Sequence, residues 1–154
     1  MAFSVGVISD THGLLRPEAV AALSGSELIL HAGDVGDPEI LKSLRQIAPT
    51  VAVRGNVDTA AWARVLPMTE VVEVEKLHLY MLHDLSTIDV DPKAAGFAAV
   101  ISGHTHRPIA EMRGGVLYLN PGSAGPRRFS LPIAVARLRI DGTTISHEIV
   151  ELRL

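Results

Sequence analysis

A chain of 154 residues has room for one compact domain and too little for two of ordinary size. With 47% hydrophobic and 20% charged residues it is not a disordered chain, and a net charge of -3 leaves no footprint for nucleic acid or an anionic membrane. It has no cysteine, which excludes disulfides and thiolate metal sites and fits a reducing cytoplasm.

The opening "MAFSVGVISD" has no basic n-region and soon reaches a charge, which argues against a signal peptide. No apolar run approaches the ~20 residues of a membrane span. The expectation is a single cytoplasmic domain over residues 1–154, with no membrane partner and with self-association left open.

"FSVGVIS" (3–9) is a short β-branched run and reads as a strand that ends in the loop "DTHG". In "RPEAVAALSG", Pro17 stands at a first helical position and Gly25 just past the end. "ELILHAG" reads as a second buried strand. "DPEILKSLRQIA" is a helix with Asp37 as N-cap, Pro38 behind it, and Ile40, Leu41, Leu44 and Ile47 on one face. "TVAVR" (50–54) is a third strand, followed by "GNVD". This β-α-β-α-β order predicts a parallel sheet with right-handed crossovers.

After Pro67 strands dominate. "MTEVVEVE" and "LHLYML" pair around Glu75 and Lys76, and "FAAVIS" is a further strand. "PIAEMR-GG-VLYLN" and "PIAVARLRI-DG-TTISHEIVEL" are hairpins with tight turns at Gly114-Gly115 and Asp141-Gly142. Segment 84–96 is the least regular, and there is no internal repeat or linker. Two sheets packed face to face with helices outside would bury all these strands.

The residues just beyond each apolar run carry the chemistry. Asp10 and His12 come after the first, Asp34 after the second and Asn56 after the third; His83 comes after "LYML", and His104 and His106 after "AAVIS". In sheets of this kind ligands collect beyond the carboxyl ends of strands, so seven oxygen and nitrogen donors are expected at one rim. Unpaired carboxylates and imidazoles gathered there would lose solvation at a cost of several kcal/mol each. Divalent cations remove that cost. Imidazole with carboxylate suits Mn, Fe, Zn or Ni, whereas an all-oxygen shell suits Ca or Mg. Seven donors exceed one tetrahedral site but fit two metals sharing a carboxylate, and the positive charge left over would attract a phosphate ester. The i, i+2 spacing of "GHTH" puts both imidazoles on one side of an extended segment.

These motifs, "DTH", "GDVGD", "GNVD", the His83 segment and "GHTH", stand in the order typical of calcineurin-like metallophosphoesterases, which this chain resembles from residue 7 to about residue 128. "LNPGS" (119–123) resembles the small bacterial and archaeal phosphodiesterase branch. The resemblance implies an α/β fold, a four-layer α/β/β/α sandwich of two mixed sheets. It also implies a dinuclear centre whose bridging hydroxide attacks phosphorus in line. Asp10, His12 and His106 would bind one metal, Asn56, His83 and His104 the other, and Asp34 would bridge them and hold the nucleophile. Manganese is the leading metal, with Ni, Zn, Fe or Mg as alternatives, and the substrate a small phosphodiester.

Two departures bear on mechanism. Where many members read "GNH", this chain has Val57, which cannot donate a proton. Where "HGH" is common, it reads "HDL", with Leu85 in place of the second histidine. The same centre would also serve a phosphomonoesterase. The superfamily further includes a retromer sorting subunit that binds partners through its surface; in that lineage key histidines are replaced, whereas here all seven positions carry coordinating residues.

Any one donor has an ordinary structural alternative, as a turn or cap residue or an interior histidine, but such residues need not fall at five successive strand ends. His31 is expected either to orient a ligand or to sit buried against backbone. His78 and His147, inside strands, are expected to be structural or exposed. "NPGS" reads as a turn, with Ser123 or a nearby N–H facing the site as a minor role. Arg107, Arg127 and Arg128 are weak candidates for phosphate contact, and Trp62 and Phe129 are expected to pack in the core or at the rim.

Overall fold

A computed structural model describes residues 2–154. The elements run β1 (Phe3–Ile8), α1 (Pro17–Leu23), β2 (Leu28–His31), α2 (Pro38–Arg45), β3 (Thr50–Ala52), a 3-10 turn (Ala61–Val65), β4 (Thr69–Val74), β5 (Leu77–Leu82), a second 3-10 turn (Leu85–Thr87), α3 (Pro92–Ala95), β6 (Ala99–Ile101), β7 (Ile109–Arg113), β8 (Val116–Asn120), β9 (Ala134–Asp141) and β10 (Thr144–Glu151). They build two five-stranded mixed sheets, ordered β10-β9-β1-β2-β3 and β4-β5-β6-β8-β7. With helices on the outside, this is the expected α/β/β/α sandwich.

The central core lies between the sheets. Val5 and Val7 of β1, Leu30 of β2 and Leu138 of β9 meet Leu79 and Met81 of β5, Ile101 of β6 and Leu119 of β8, all essentially inaccessible. Burying each such side chain contributes about 1.5–3 kcal/mol. The alternate residues of β1 face the helices: Ile8 joins Leu23, Leu41 and Leu44 in a second cluster. Gly6 faces the same way because a Cβ there would lie 2.7 Å from Leu23 Cδ2.

Local chemistry sets the helices. Pro17 starts α1, and Gly25, at φ 85°, turns the chain away one residue past the Ser24 cap. Asp37 caps α2 by accepting from Glu39 N at 2.9 Å, and Ile40, Leu41 and Leu44 face inward. The irregular segment after residue 84 holds α3, one turn started by Asp91-Pro92 and ended by Gly96 in the left-handed region at φ 82°. A helix of four residues shows no periodicity in a sequence. It and the neighbouring 3-10 turn are the helical elements on the outer face of the second sheet, where Leu85, Ile88 and Phe97 cover Tyr80, Leu82, Val100 and Val116. β3 leaves its ladder at Ala52, earlier than "TVAVR" suggests, and Arg54 N bonds Pro67 O instead. Trp62 packs on the helix-side core, whereas Phe129, expected to pack, is 92% exposed.

Strand direction places the site. β1, β2 and β3 are mutually parallel, as are β5, β6 and β8. Their carboxyl ends therefore deliver the Asp10, Asp34, Asn56, His83, His104–His106 and Asn120 segments.

Candidate metal centre

Five of the seven expected donors form two overlapping groups: Asp10 with His12 and His106, and Asp10 with Asp34 and His83, their ligand atoms within 4.8 Å of one another. Asp10 Oδ1 faces three imidazole Nε2 atoms, at 3.4 Å from His106, 3.7 Å from His12 and 3.8 Å from His83. Asp34 Oδ2 stands between His83 Nε2 at 3.1 Å and His12 Nε2 at 3.6 Å. Asp34 Oδ2 thus faces a histidine from each expected half, and Asp10 Oδ1 does so as well. The "GHTH" imidazoles part company: His106 lies against His12, with ring centroids 5.4 Å apart, and His104 against His83, at 5.2 Å. His104 is half exposed and its Nε2 is 3.7 Å from Asp84 Oδ2. Asn56 is exposed on the rim of a cleft it shares with His83 and His104. Leu85 packs on the outer face of the second sheet and adds no donor.

The donors fit divalent cations in a way that neutral packing does not explain. On each aspartate one oxygen is pinned and the other is left facing imidazole. Asp10 Oδ2 accepts from Ser9 Oγ at 2.7 Å and His104 N at 3.1 Å; Asp34 Oδ1 accepts from Val57 N at 3.0 Å. His83 Nδ1 is 2.7 Å from the Ala32 carbonyl; donating there leaves the Nε2 lone pair for a metal. Asp10 Oδ1, His12 Nε2 and His83 Nε2 are buried without a hydrogen-bond partner among the described residues. The short His83–Asp34 approach is too poorly aligned to count as one. Buried polar atoms of this kind call for a ligand.

The electrostatics agree. Burial pushes the Asp10 carboxyl up, but His106, His12, the Ser9 hydroxyl and His83 together hold it well below the usual carboxylate range. Burial likewise raises Asp34, and His83 with the Val57 N–H outweighs it to lower the carboxyl. Burial lowers His83, but the Asp34 and Asp10 carboxylates and the Ala32 carbonyl raise it above its ordinary value. The site thus keeps both carboxylates ionised and favours positive charge beside them.

The backbone carrying these groups is unusual. Seven described non-glycine residues have positive φ, and five of them are expected donors: Asp10 (55°), His12 (48°), Asp34 (55°), His104 (72°) and His106 (63°). Close-packed glycines make room for them. A Cβ on Gly33 would lie 2.7 Å from His83 Nδ1, and one on Gly103 would strike Ser9 Oγ and lie 2.6 Å from Asp10 Oδ2.

Three further residues lock the loops together. Asp58, the buried last residue of "GNVD", accepts from Val35 N, Gly36 N and Gly55 N, tying the Asp34 loop to the Asn56 loop. Asn120 donates to Gly103 O and Thr105 Oγ1 and so holds "GHTH". Ser123 donates to Asp10 O at 3.0 Å, gripping backbone rather than facing the site. Sequence reading missed the first two roles, although "GNVD" and "LNPGS" contain the residues.

His31 is buried against the loops, the second of its two expected placements, and hydrogen-bonds none of the seven donors directly. Its Nδ1 accepts from Gly33 N at 3.1 Å, so Nε2 carries the proton toward Thr11 Oγ1 at 3.0 Å, between Asp10 and His12. Burial pushes its pKa down from 6.5 to about 4, against the pull of nearby aspartates. Below pH 6.5 the unfolded chain binds a proton that the folded one refuses. The stability contributed is full above 6.5 and is lost as pH falls toward 4, by about 3 kcal/mol at 1.36 kcal/mol per pH unit. In metal-free protein, urea unfolding between pH 7 and 4 should show this loss in the wild type and a shallower slope in His31→Gln. Equal slopes would show that His31 is not the group responsible.

A surface depression of about 390 Å³ is lined by Ser4, Arg137, Arg139 and Ser146 toward the far end of β1 and contains none of the seven donors. The chemistry lies instead beside a cleft of about 210 Å³ next to His83, His104 and Asn56. Arg107 and Arg128 are exposed, and Arg127 bonds Leu131 O in its own loop. His147 is exposed, and the half-exposed His78 ring lies near Glu73.

Paired acid–imidazole groups at the rim of a two-sheet sandwich make a candidate two-metal centre. Residues 3–143 match the calcineurin-like phosphoesterase superfamily domain, and the chain belongs to that superfamily. It is 37% identical to a probable metallophosphoesterase of Methanothermobacter thermautotrophicus, covering 95% of this chain and 91% of that one. It is 27% identical to the phosphodiesterase YfcE of Escherichia coli, covering 86% and 85%. Among solved structures, vacuolar protein sorting 29 of Cryptosporidium parvum shares the fold with a TM-score of 0.85 at 20% identity, over 99% of this chain and 92% of that one. No helix among the described residues is long and apolar enough to cross a membrane.

Proposed function

We propose that this chain is a metal-dependent phosphodiesterase acting on small phosphodiesters. The observation that carries the reading is the ring of buried donors without partners, Asp10 Oδ1, His12 Nε2 and His83 Nε2, on a phosphoesterase fold. Asp10, His12 and His106 would hold one cation, Asn56, His83 and His104 the other, and Asp34 both. Bound divalent cations would polarise phosphoryl oxygens and supply a nucleophile from water at neutral pH.

The chain's own part is to prepare the site. The pinned oxygens of Asp10 and Asp34 fix where their free oxygens point, and the Ala32 carbonyl sets the His83 tautomer. The mixed imidazole–carboxylate set favours manganese, with Ni, Zn, Fe or Mg as competitors. The diester preference rests on Val57, which gives a departing alkoxide no proton, and on the likeness to a phosphodiesterase at 27% identity.

The test is metal analysis and then a panel of phosphoesters with added Mn, Ni, Zn or Mg. Two metals per chain with diester turnover is the expected result. Turnover of monoesters alone selects a phosphomonoesterase, and no turnover of any ester with metal bound selects a binding scaffold. The two halves should also separate. His106→Ala is expected to lose the metal shared with Asp10 and His12, and His104→Ala the one shared with Asn56 and His83, read by anomalous scattering. Loss of the same metal in both would reject the split.

A further inference from the structure

The cleft beside the centre is asymmetric. It opens on Asn56, His83 and His104, and none of Asp10, His12 and His106 lines it. It is also lined by Arg54, Met68, Thr69, Leu82, Asp84 and Thr87. Met68 is 61% exposed although it is a large apolar residue, and the segment it closes also exposes Val57 (44%) and Val65 (84%). Met68 and Leu82 give the cleft an apolar surface beside its polar groups, the mixture found in ligand pockets.

Arg54 gives the cleft a second character. Its Nε and Nη2 donate to Leu66 O at 3.1 and 2.9 Å, and Nη2 also reaches Arg64 O at 3.3 Å. The guanidinium is thereby held against the loop that ends at Met68, while Nη1 makes no hydrogen bond among the described residues. Asp84 also lines the cleft, with its Oδ2 3.7 Å from His104 Nε2, and offsets part of this positive charge, so the cleft offers an occupant an apolar surface at Met68 and Leu82 and a cation at Arg54.

We infer that this cleft is the subsite for one ester arm of the substrate, that it takes a flat aromatic group, an aryl ring or nucleobase, and that Met68 is the residue that sets this preference. A thioether suits the role: it is polarisable, adapts its three rotatable bonds to a ring, and makes favourable contacts at a ring edge. The inference rests on the phosphodiesterase reading for its substrate class, but it concerns binding and is testable without turnover.

The probes are diphenylphosphinate and dimethylphosphinate, anions shaped like a diester whose carbon–phosphorus bonds resist hydrolysis. Protein carrying methyl-13C methionine is titrated with each, as purified and after addition of zinc. The Met68 methyl resonance is expected to shift with the diphenyl anion and not with the dimethyl one, while exposed Met112 stays still. The diphenyl anion should bind about tenfold tighter than the dimethyl one, a preference that Met68→Ala removes and Met68→Leu largely restores. Equal response to the two anions, or an aryl preference that survives Met68→Ala, would overturn the subsite. Diester turnover in the panel alongside either of those results would leave the enzyme reading standing and remove only this one. An intact aryl preference with no turnover of any ester would do the reverse.

Discussion

Asp34→Asn is expected to lower kcat/KM toward diesters by about 10²–10³-fold, the scale lost when one group stabilising developing charge is removed, and to leave the protein folded. The carboxylate does two jobs at once. Oδ1 accepts from Val57 N at 3.0 Å, and Oδ2 stands between His83 and His12. An amide can keep the first contact through its oxygen, but it then presents an NH2 group to the two imidazoles. It also carries no charge to balance cations on either side. Asp34 lies in a loop beyond β2 and contributes no apolar side chain to the core between the sheets, so far-UV dichroism should be retained. Metal content and activity should fall together. Full activity with two metals per chain would remove Asp34 from the centre.

The second large effect concerns the leaving group. Activated diesters, aryl or nucleotidyl, should be cleaved far better than alkyl monoesters, with a steep dependence of kcat/KM on leaving-group pKa. General acid help is worth about 10²–10⁴-fold, and nothing beside Asn56 supplies it. Val57 is apolar. Asp58 is the next carboxyl along the chain, but it is buried, its oxygens are taken up by three backbone N–H groups, and it does not line the cleft. A series of aryl diesters and matched monoesters decides it. A flat dependence, or a preference for alkyl monoesters, would point to another acid, and His104, half exposed beside Asp84, is the one to examine.

Most of the frame was legible in the sequence for a simple reason. β-branched runs bounded by Gly-Gly, Asp-Gly and Glu-Lys turns have few other ways to fold, and Asp37-Pro38 and Gly25 mark helix ends by local chemistry alone. The donors were legible because strand ends gather them. What stayed hidden depends on contacts between distant loops. Asp58 and Asn120 look like turn residues until three loops meet over them. The one-turn α3 is too short to print a period. The exposure of Phe129 could not be read, because an aromatic residue in a loop carries no sign of which way it faces.

The left-handed backbone at five donors shapes how the molecule could evolve. Each such non-glycine residue costs of order 1–3 kcal/mol, a cost that the interlocked loops around it must sustain. Selection for stability alone would replace these histidines and aspartates with glycine or asparagine, which rest easily in that conformation. A lineage freed from hydrolysis would have a thermodynamic incentive to lose its ligands first and keep the sandwich, so the same scaffold could drift from catalysis to docking without passing through an unfolded intermediate.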